Sequence, residues 1–221
     1  YSVSEEADFY IDGIRTDASG SYFDLHTPDG VYRNQFFNQL GMHNLSNALV
    51  ALAMASKAGL LIEDLAESLA SFPGVERRLQ VLINEKNRVL IDDYAHHPTE
   101  IKAVYETLKL SFPADEKCVV FQPHLFSRTQ DFMTDFATAL SLFDRVLLLD
   151  IYPARELPIE GVSSGVLKEM ISGPSVELVT KKELANRLSS VDERIIVLLG
   201  AGDIGVEVEG IKHKLLYDEA L

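Results

Sequence analysis

The chain has 221 residues, 47% of them hydrophobic, enough for one large domain or one domain with part of another. Its formal net charge of -14 argues against nucleic-acid partners, which need clustered Lys and Arg to displace counterions, and against an anionic membrane surface. The single cysteine, Cys118 in "CVVF", excludes an intramolecular disulfide, reads as a small buried hydrophobe and fits a reducing cytoplasm.

The N-terminus, "YSVSEEADFY", has no basic end, apolar core or initiator Met, so the chain is expected to be the back part of a longer protein. Residues 1 to about 40 alternate polar and apolar in short pieces. Turn signals at Asp12-Gly13, Ser19-Gly20 and Pro28-Asp29-Gly30 predict antiparallel strands joined by hairpins. "HNLSNALVALAMASKAG" then predicts a buried helix, apolar almost all round, with Asn44 placed to cap it and Gly59 to end it. Lys57 interrupts this apolar stretch, which is too short to span a bilayer. A second helix over 62–71 stops at Phe72-Pro73-Gly74, the best linker candidate.

From Leu79 the rhythm changes. Apolar β-type runs at "RLQVLIN", "RVLIDD", "KCVVFQ", "RVLLLD", "VELVT" and "RIIVLLG" alternate, after the second, with helix-period segments. In "PTEIKAVYETLKLSF", Ile101, Val104, Tyr105 and Leu108 fall on one helical face, with Pro98 and Glu100 suited to the first turn. Further helices are predicted over 129–142, 163–171, 181–188 and 204–217. The fold class is α/β: a mostly parallel, Rossmann-like sheet covered on both faces, preceded by a smaller region of antiparallel strands and helices.

In such a sheet, ligands bind beyond the carboxyl ends of the strands. Four of these strands run into loops rich in functional side chains, "DDYAHHPTE", "QPHLFSRTQ", "DIYPARELP" and "GAGDIG", and a right-handed parallel arrangement puts all four on one rim. Each loop also has a plainer reading. Asp92 and Asp93 could cap turns, and Arg128 could be a surface residue. His96 and His97 make a poor metal pair, since neighbours on an extended segment point to opposite sides, and no metal site is assigned. Ser127 with His124 as base lacks the G-x-S-x-G elbow of a hydrolase. Arg128 beside His124 fits better as a clamp for a carboxylate or phosphate, because a guanidinium fork pairs two oxygens at once. "GAGDIG" matches G-x-G-x-x-G but follows the last strand, where the dinucleotide pattern does not belong. The phosphate-gripping pattern G-x-x-x-x-G-K-[ST] occurs nowhere in these residues.

Taken in order, "GMHNLSNALVALA", "PGVERRLQ", "IDDYAHHPTEI", "PHLFSRT" and "DIYPARE" resemble the back half of a Mur ligase. The likeness is strongest to the branch of that family that joins L-alanine to UDP-N-acetylmuramate in peptidoglycan synthesis. Ala95 stands where the family often has Gly. The resemblance implies that residues 1–76 are the end of the central ATP-binding domain and residues 77–221 the C-terminal, amino-acid-binding domain. It implies ATP-dependent ligase chemistry through an acyl phosphate, with Mg2+ held mainly by residues upstream of this chain. The chain alone would then be inactive. Asn44, Asn47, Arg78 and Asp93 would contact ATP, and Tyr94, His96, His124 and Arg128 the substrates, with His96 and Arg128 the catalytic pair. Two other readings remain open: a ligase that recycles a whole tripeptide onto the same nucleotide sugar, and a non-catalytic anion-binding or interaction domain built on the same rim.

Overall fold

The computed structural model describes residues 1–217. Three strands, β1 (Tyr10–Asp17), β2 (Gly20–Thr27) and β3 (Gly30–Phe37), form an antiparallel sheet in the order β1-β2-β3. The turns at Ser19-Gly20 and Pro28-Asp29-Gly30 join them as expected. Asp12-Gly13 does not: it lies inside β1, where the register slips between Asp12 and Arg15 and Gly13 takes φ 59°. A bulge needs the same left-handed residue as a turn, so the dipeptide alone does not separate the two.

Helices α1 (Met42–Lys57) and α2 (Ile62–Ala70) follow. Helix α1 starts two residues before Asn44, at Met42 with Gly41 as its N-cap, and Asn44 lies within it, its Nδ2 donating to Leu40 O at 2.8 Å. Gly59 ends it as expected, with φ 93°. Only one stripe of α1 is buried (Leu45, Ala48, Leu49 and Leu52), while Met54 is 69% exposed. The helix is therefore amphipathic, packed on a single sheet face with Phe9, Ile11, Phe23, Leu25 and Phe37.

The larger sheet has six strands in the order β4-β5-β9-β6-β7-β8. They are β4 (Gln80–Asn84), β5 (Val89–Asp93), β6 (Lys117–Phe121), β7 (Arg145–Leu148), β8 (Ser175–Leu178) and β9 (Ile195–Leu199). Only β4 pairs antiparallel; the rest are parallel, as the continuous apolar runs predict. Every residue of β5, β6 and β9 is buried, which requires cover on both faces. On one face, α7 (Lys181–Leu188) and α8 (Ile204–Tyr217) bury Leu184, Leu188, Ile204, Val208 and Ile211 against Leu90, Val120, Leu147 and Leu198. On the other, α5 (Met133–Leu140) sets Phe136 against Phe121, ring centroids 5.3 Å apart. Helices α3 (Pro98–Ser111), α4 (Phe126–Asp131) and α6 (Ser164–Met170) complete the set. The single helix predicted over 129–142 is two, broken at Phe132, whose φ of -114° leaves the helical region.

The chain divides into two units: Tyr1–Gly74 with Glu106–Pro113, and Val75–Tyr105 with the chain from Ala114 onward. Cys118 is fully buried in the second, and desolvation pushes its thiol up to about 12, so it behaves as core and not as a nucleophile. Among the described residues no helix is long and apolar enough to cross a membrane.

Candidate active-site rim

Strands β5, β9, β6 and β7 are neighbours and mutually parallel, so the loops that follow them leave from one edge of the sheet. After β5 the chain turns sharply. Asp93 makes that turn: one carboxylate oxygen accepts Ala95 N–H at 2.7 Å and the other accepts Leu79 N–H at 2.8 Å. Both oxygens of Asp93, the residue expected to meet a ribose, are thus bound to backbone, and the side chain is 4% exposed. Farther along, Glu100 Oε2 reaches back from the first turn of α3 to accept the N–H groups of His96 at 2.8 Å and His97 at 3.1 Å. This ties the chain entering α3 to the helix's first turn and fixes the direction in which His96 leaves the chain.

The corner side chains form a line of rings. Tyr94 lies edge-on to His96 at 5.5 Å between centroids, and His96 edge-on to His124 at 6.3 Å. His124 in turn stacks on Tyr152 at 5.5 Å. Three loops, after β5, β6 and β7, thus meet in one row. His96 Nδ1 lies 3.0 Å from Tyr94 O, while Nδ1 of His124 is buried with no hydrogen-bond partner. Burial, then the charge of Arg128, then His96, hold the His124 imidazole below its ordinary pKa, so it stays neutral where a free histidine would begin to protonate. Arg128 is half-buried on α4, its guanidinium without a hydrogen bond or ion pair to any described residue. Ser127 does not face His124; its Oγ donates to Glu156 at 2.5 Å, so no Ser–His pair exists.

Several anchors of this rim are not evident from the sequence. Arg77, at φ 57°, sends Nε to Asp92 at 3.2 Å and Nη2 to Gly200 O, with its guanidinium carbon 5.0 Å from the centre of the Tyr94 ring. It ties the β5 corner to the "GAGDIG" turn. Gln122 ties the same turn to β6: Nε2 donates to Asp203 at 2.7 Å and Oε1 accepts Ile204 N–H at 2.9 Å. The glycines serve close approach. A Cβ on Gly202 would stand 2.5 Å from Gln122 Oε1 and 2.8 Å from Tyr152. Beside the turn is a cleft of about 550 Å³ whose lining includes Gln122, Asp150, Tyr152, Lys181, Lys182 and Asp203. Nothing in a single sequence distinguishes Arg77 from Arg78 in "ERRLQ"; only the fold shows that the first is the anchor.

The structure brings Tyr94, His96, His124 and Arg128 together and places Asp93 beneath them. Arg78, expected to reach phosphate, is exposed on the segment entering β4, with no side-chain partner among the described residues. Asn44 and Asn47 belong to the other unit, Asn44 half-buried and Asn47 exposed on α1. Among the described residues no group of three or more His, Cys, Asp or Glu is placed to hold a metal ion.

Residues 77–202, which include all four rim loops up to the second glycine of "GAGDIG", match the model of the Mur ligase glutamate ligase domain. The chain belongs to the Mur ligase family. Among its relatives in that family is a UDP-N-acetylmuramate–L-alanine ligase of Christiangramia forsetii, 50% identical over 98% of this chain and 48% of the relative. Another of that name, from Flavobacterium psychrophilum, is 49% identical over 96% of the chain and 48% of the relative. The chain therefore spans about half the length of the curated relatives it matches. The Mur ligase fold is also seen in the solved UDP-N-acetylmuramate-alanine ligase of Thermotoga maritima, with TM-score 0.78 at 24% identity over 98% of this chain and 47% of that one. A folylpolyglutamate synthase from the same organism gives 0.70 at 20% identity over 96% and 47%.

Proposed function

We propose that this chain supplies the amino-acid corner of an ATP-dependent ligase that joins L-alanine to the carboxylate of UDP-N-acetylmuramate. In this reading ATP transfers its terminal phosphoryl group to that carboxylate, giving an acyl phosphate and ADP. The amine of L-alanine then attacks the activated carbonyl, and phosphate leaves as the amide forms. Arg128 pairs the amino acid's carboxylate, and Tyr94, His96 and His124 hold it so that its amine faces the acyl carbon. Such positioning converts a two-body step into an effectively unimolecular one.

The single observation that supports this most is the meeting of Tyr94, His96 and His124 from two separate loops, beside a half-buried, unpaired Arg128. An unpaired guanidinium next to an orphaned, neutral imidazole suits an anionic ligand with a polar head. Arg78, exposed and unpartnered, is available for a nucleotide phosphate, and Asn44 and Asn47 are assigned to the adenine. Residues 1–76 are taken as the end of the ATP-binding domain. Magnesium would shield the phosphate charges in this reading. Soluble nucleotide substrates put the reaction in the cytoplasm. The names of these two relatives favour alanine over a tripeptide as the incoming group.

Phosphate release by the full-length protein carrying this chain tests the reading. Release should require ATP, UDP-N-acetylmuramate and L-alanine together. Release supported by a tripeptide but not by L-alanine would replace it with the recycling reaction.

A further inference from the structure

The geometry points to Glu156 as a positioning residue that sets the aim of Arg128, an assignment that rests on the amino-acid clamp proposed above. Helix α4 has no side-chain cap of its own and is entered through Leu125 at φ 73°, a conformation that L side chains rarely adopt. At six residues it is too short to hold its direction by itself. What holds it comes from the loop after β7. Glu156 accepts Ser127 N–H on one carboxylate oxygen at 2.9 Å and Ser127 Oγ–H on the other at 2.5 Å. The two loops are also laced by backbone, Leu125 N–H to Tyr152 O at 2.9 Å and Tyr152 N–H to Pro123 O at 2.8 Å.

Arg128 is the residue after Ser127, so the clasp lies one residue from the base of the guanidinium arm. Glu156 is itself turned inward by a tight bend, its N–H on Pro153 O at 2.9 Å, next to Ala154 at φ 50°. Two non-glycine residues with positive φ, one in each loop, persist only where the surroundings over-determine them. The backbone bonds between the two loops and the clasp between Ser127 and Glu156 supply that constraint together. Glu156 also puts a negative charge near His124 and α4 without pairing with Arg128, which leaves the fork free for a ligand's carboxylate.

Steady-state kinetics on the full-length enzyme separate this from a merely structural role. Glu156→Gln, which keeps the shape but only one good acceptor, should raise the alanine KM by roughly 10- to 100-fold. The ATP KM and the melting temperature should stay near those of the parent. Glu156→Asp, too short to span both donors, should fall between. In an Arg128→Ala background, Glu156→Gln should add nothing further, because its effect runs through Arg128. If Arg128→Ala raises the alanine KM but Glu156→Gln does not, or if the two effects add, the positioning role is overturned and the clamp survives. If Glu156→Gln lowers the melting temperature and raises both KM values together, the residue is only structural. If Arg128→Ala leaves the alanine KM unchanged, the clamp itself falls and this inference with it.

Discussion

Arg77 and Asp92 meet beneath the row of rings, Nε to carboxylate at 3.2 Å, and the second oxygen of Asp92 finds no hydrogen bond. Burial outweighs the neighbouring guanidinium and pushes the Asp92 carboxyl up to about 6 from 3.8. A raised acid pKa means that the folded state holds the proton more tightly than the unfolded one. The ionised form therefore costs stability: nothing below about pH 3.8, increasingly up to about pH 6, and about 3 kcal/mol above it. Asp92→Asn has no such titration. The unfolding free energy of the variant relative to its parent should improve by up to about 3 kcal/mol between about pH 4 and about pH 7. A difference that does not change with pH in urea titrations would show an ordinary carboxyl at this position.

Asp93 tests a different division of labour. Its two short bonds to Leu79 and Ala95 N–H are charge-assisted and buried, so Asp93→Ala should cost about 3 kcal/mol of stability. Amide hydrogen exchange should quicken at Leu79 and Ala95 in particular. Calorimetry supplies the contrast: a loss of ATP affinity with exchange at those amides unaltered would return Asp93 to the ribose.

For Arg128 the informative change is conservative. Lys keeps the charge but loses the planar fork, so Arg128→Lys should weaken amino-acid binding and misplace the amine. Alanine KM should rise and turnover should fall, with ATP KM nearly constant. A variant in which only the ATP KM moves would make Arg128 a phosphate contact.

Two glycines predict opposite signs. Gly202→Ala would drive a methyl into Gln122 and Tyr152, the ring that supports His124, and should cost about 1–3 kcal/mol with loss of activity. Gly210 sits in α8 with nothing within 4 Å of a built Cβ, so Gly210→Ala should stabilise by up to about 1 kcal/mol. Thermal melts of both variants check the pair, and a stabilised Gly202→Ala would mean that the turn is looser than described.

Much of the fold is legible in local pattern. The apolar runs of β5, β6 and β9 and the helical spacing of α7 and α8 lie where periodicity puts them, because burial on both faces demands such residues. The rim is legible too, since parallel strands dictate which loops meet. What does not show in sequence is whatever depends on a partner far along the chain. Arg77 gains its meaning from Gly200, and Ser127 from Glu156. Asn44 suits a helix cap by type, yet the helix begins earlier, at Met42. Phe132 breaks the helix predicted over 129–142, and the segment before the break is tied at Leu125 to Tyr152 of the distant β7 loop.

The position of β9 has a consequence for synthesis. Of the described strands it is made last, yet it lies between β5 and β6 and bonds to both. Its width keeps those two strands about 10 Å apart, and with them the loops carrying His96 and His124. A ribosome that has delivered both histidines has therefore not yet delivered the spacer between them. Until Ile195–Leu199 emerges, β5 and β6 each present an open edge to any other extended chain nearby. The finished rim thus appears late and all at once, when β9 docks, and a nascent chain stalled before that point is a candidate for aggregation and not a slow enzyme.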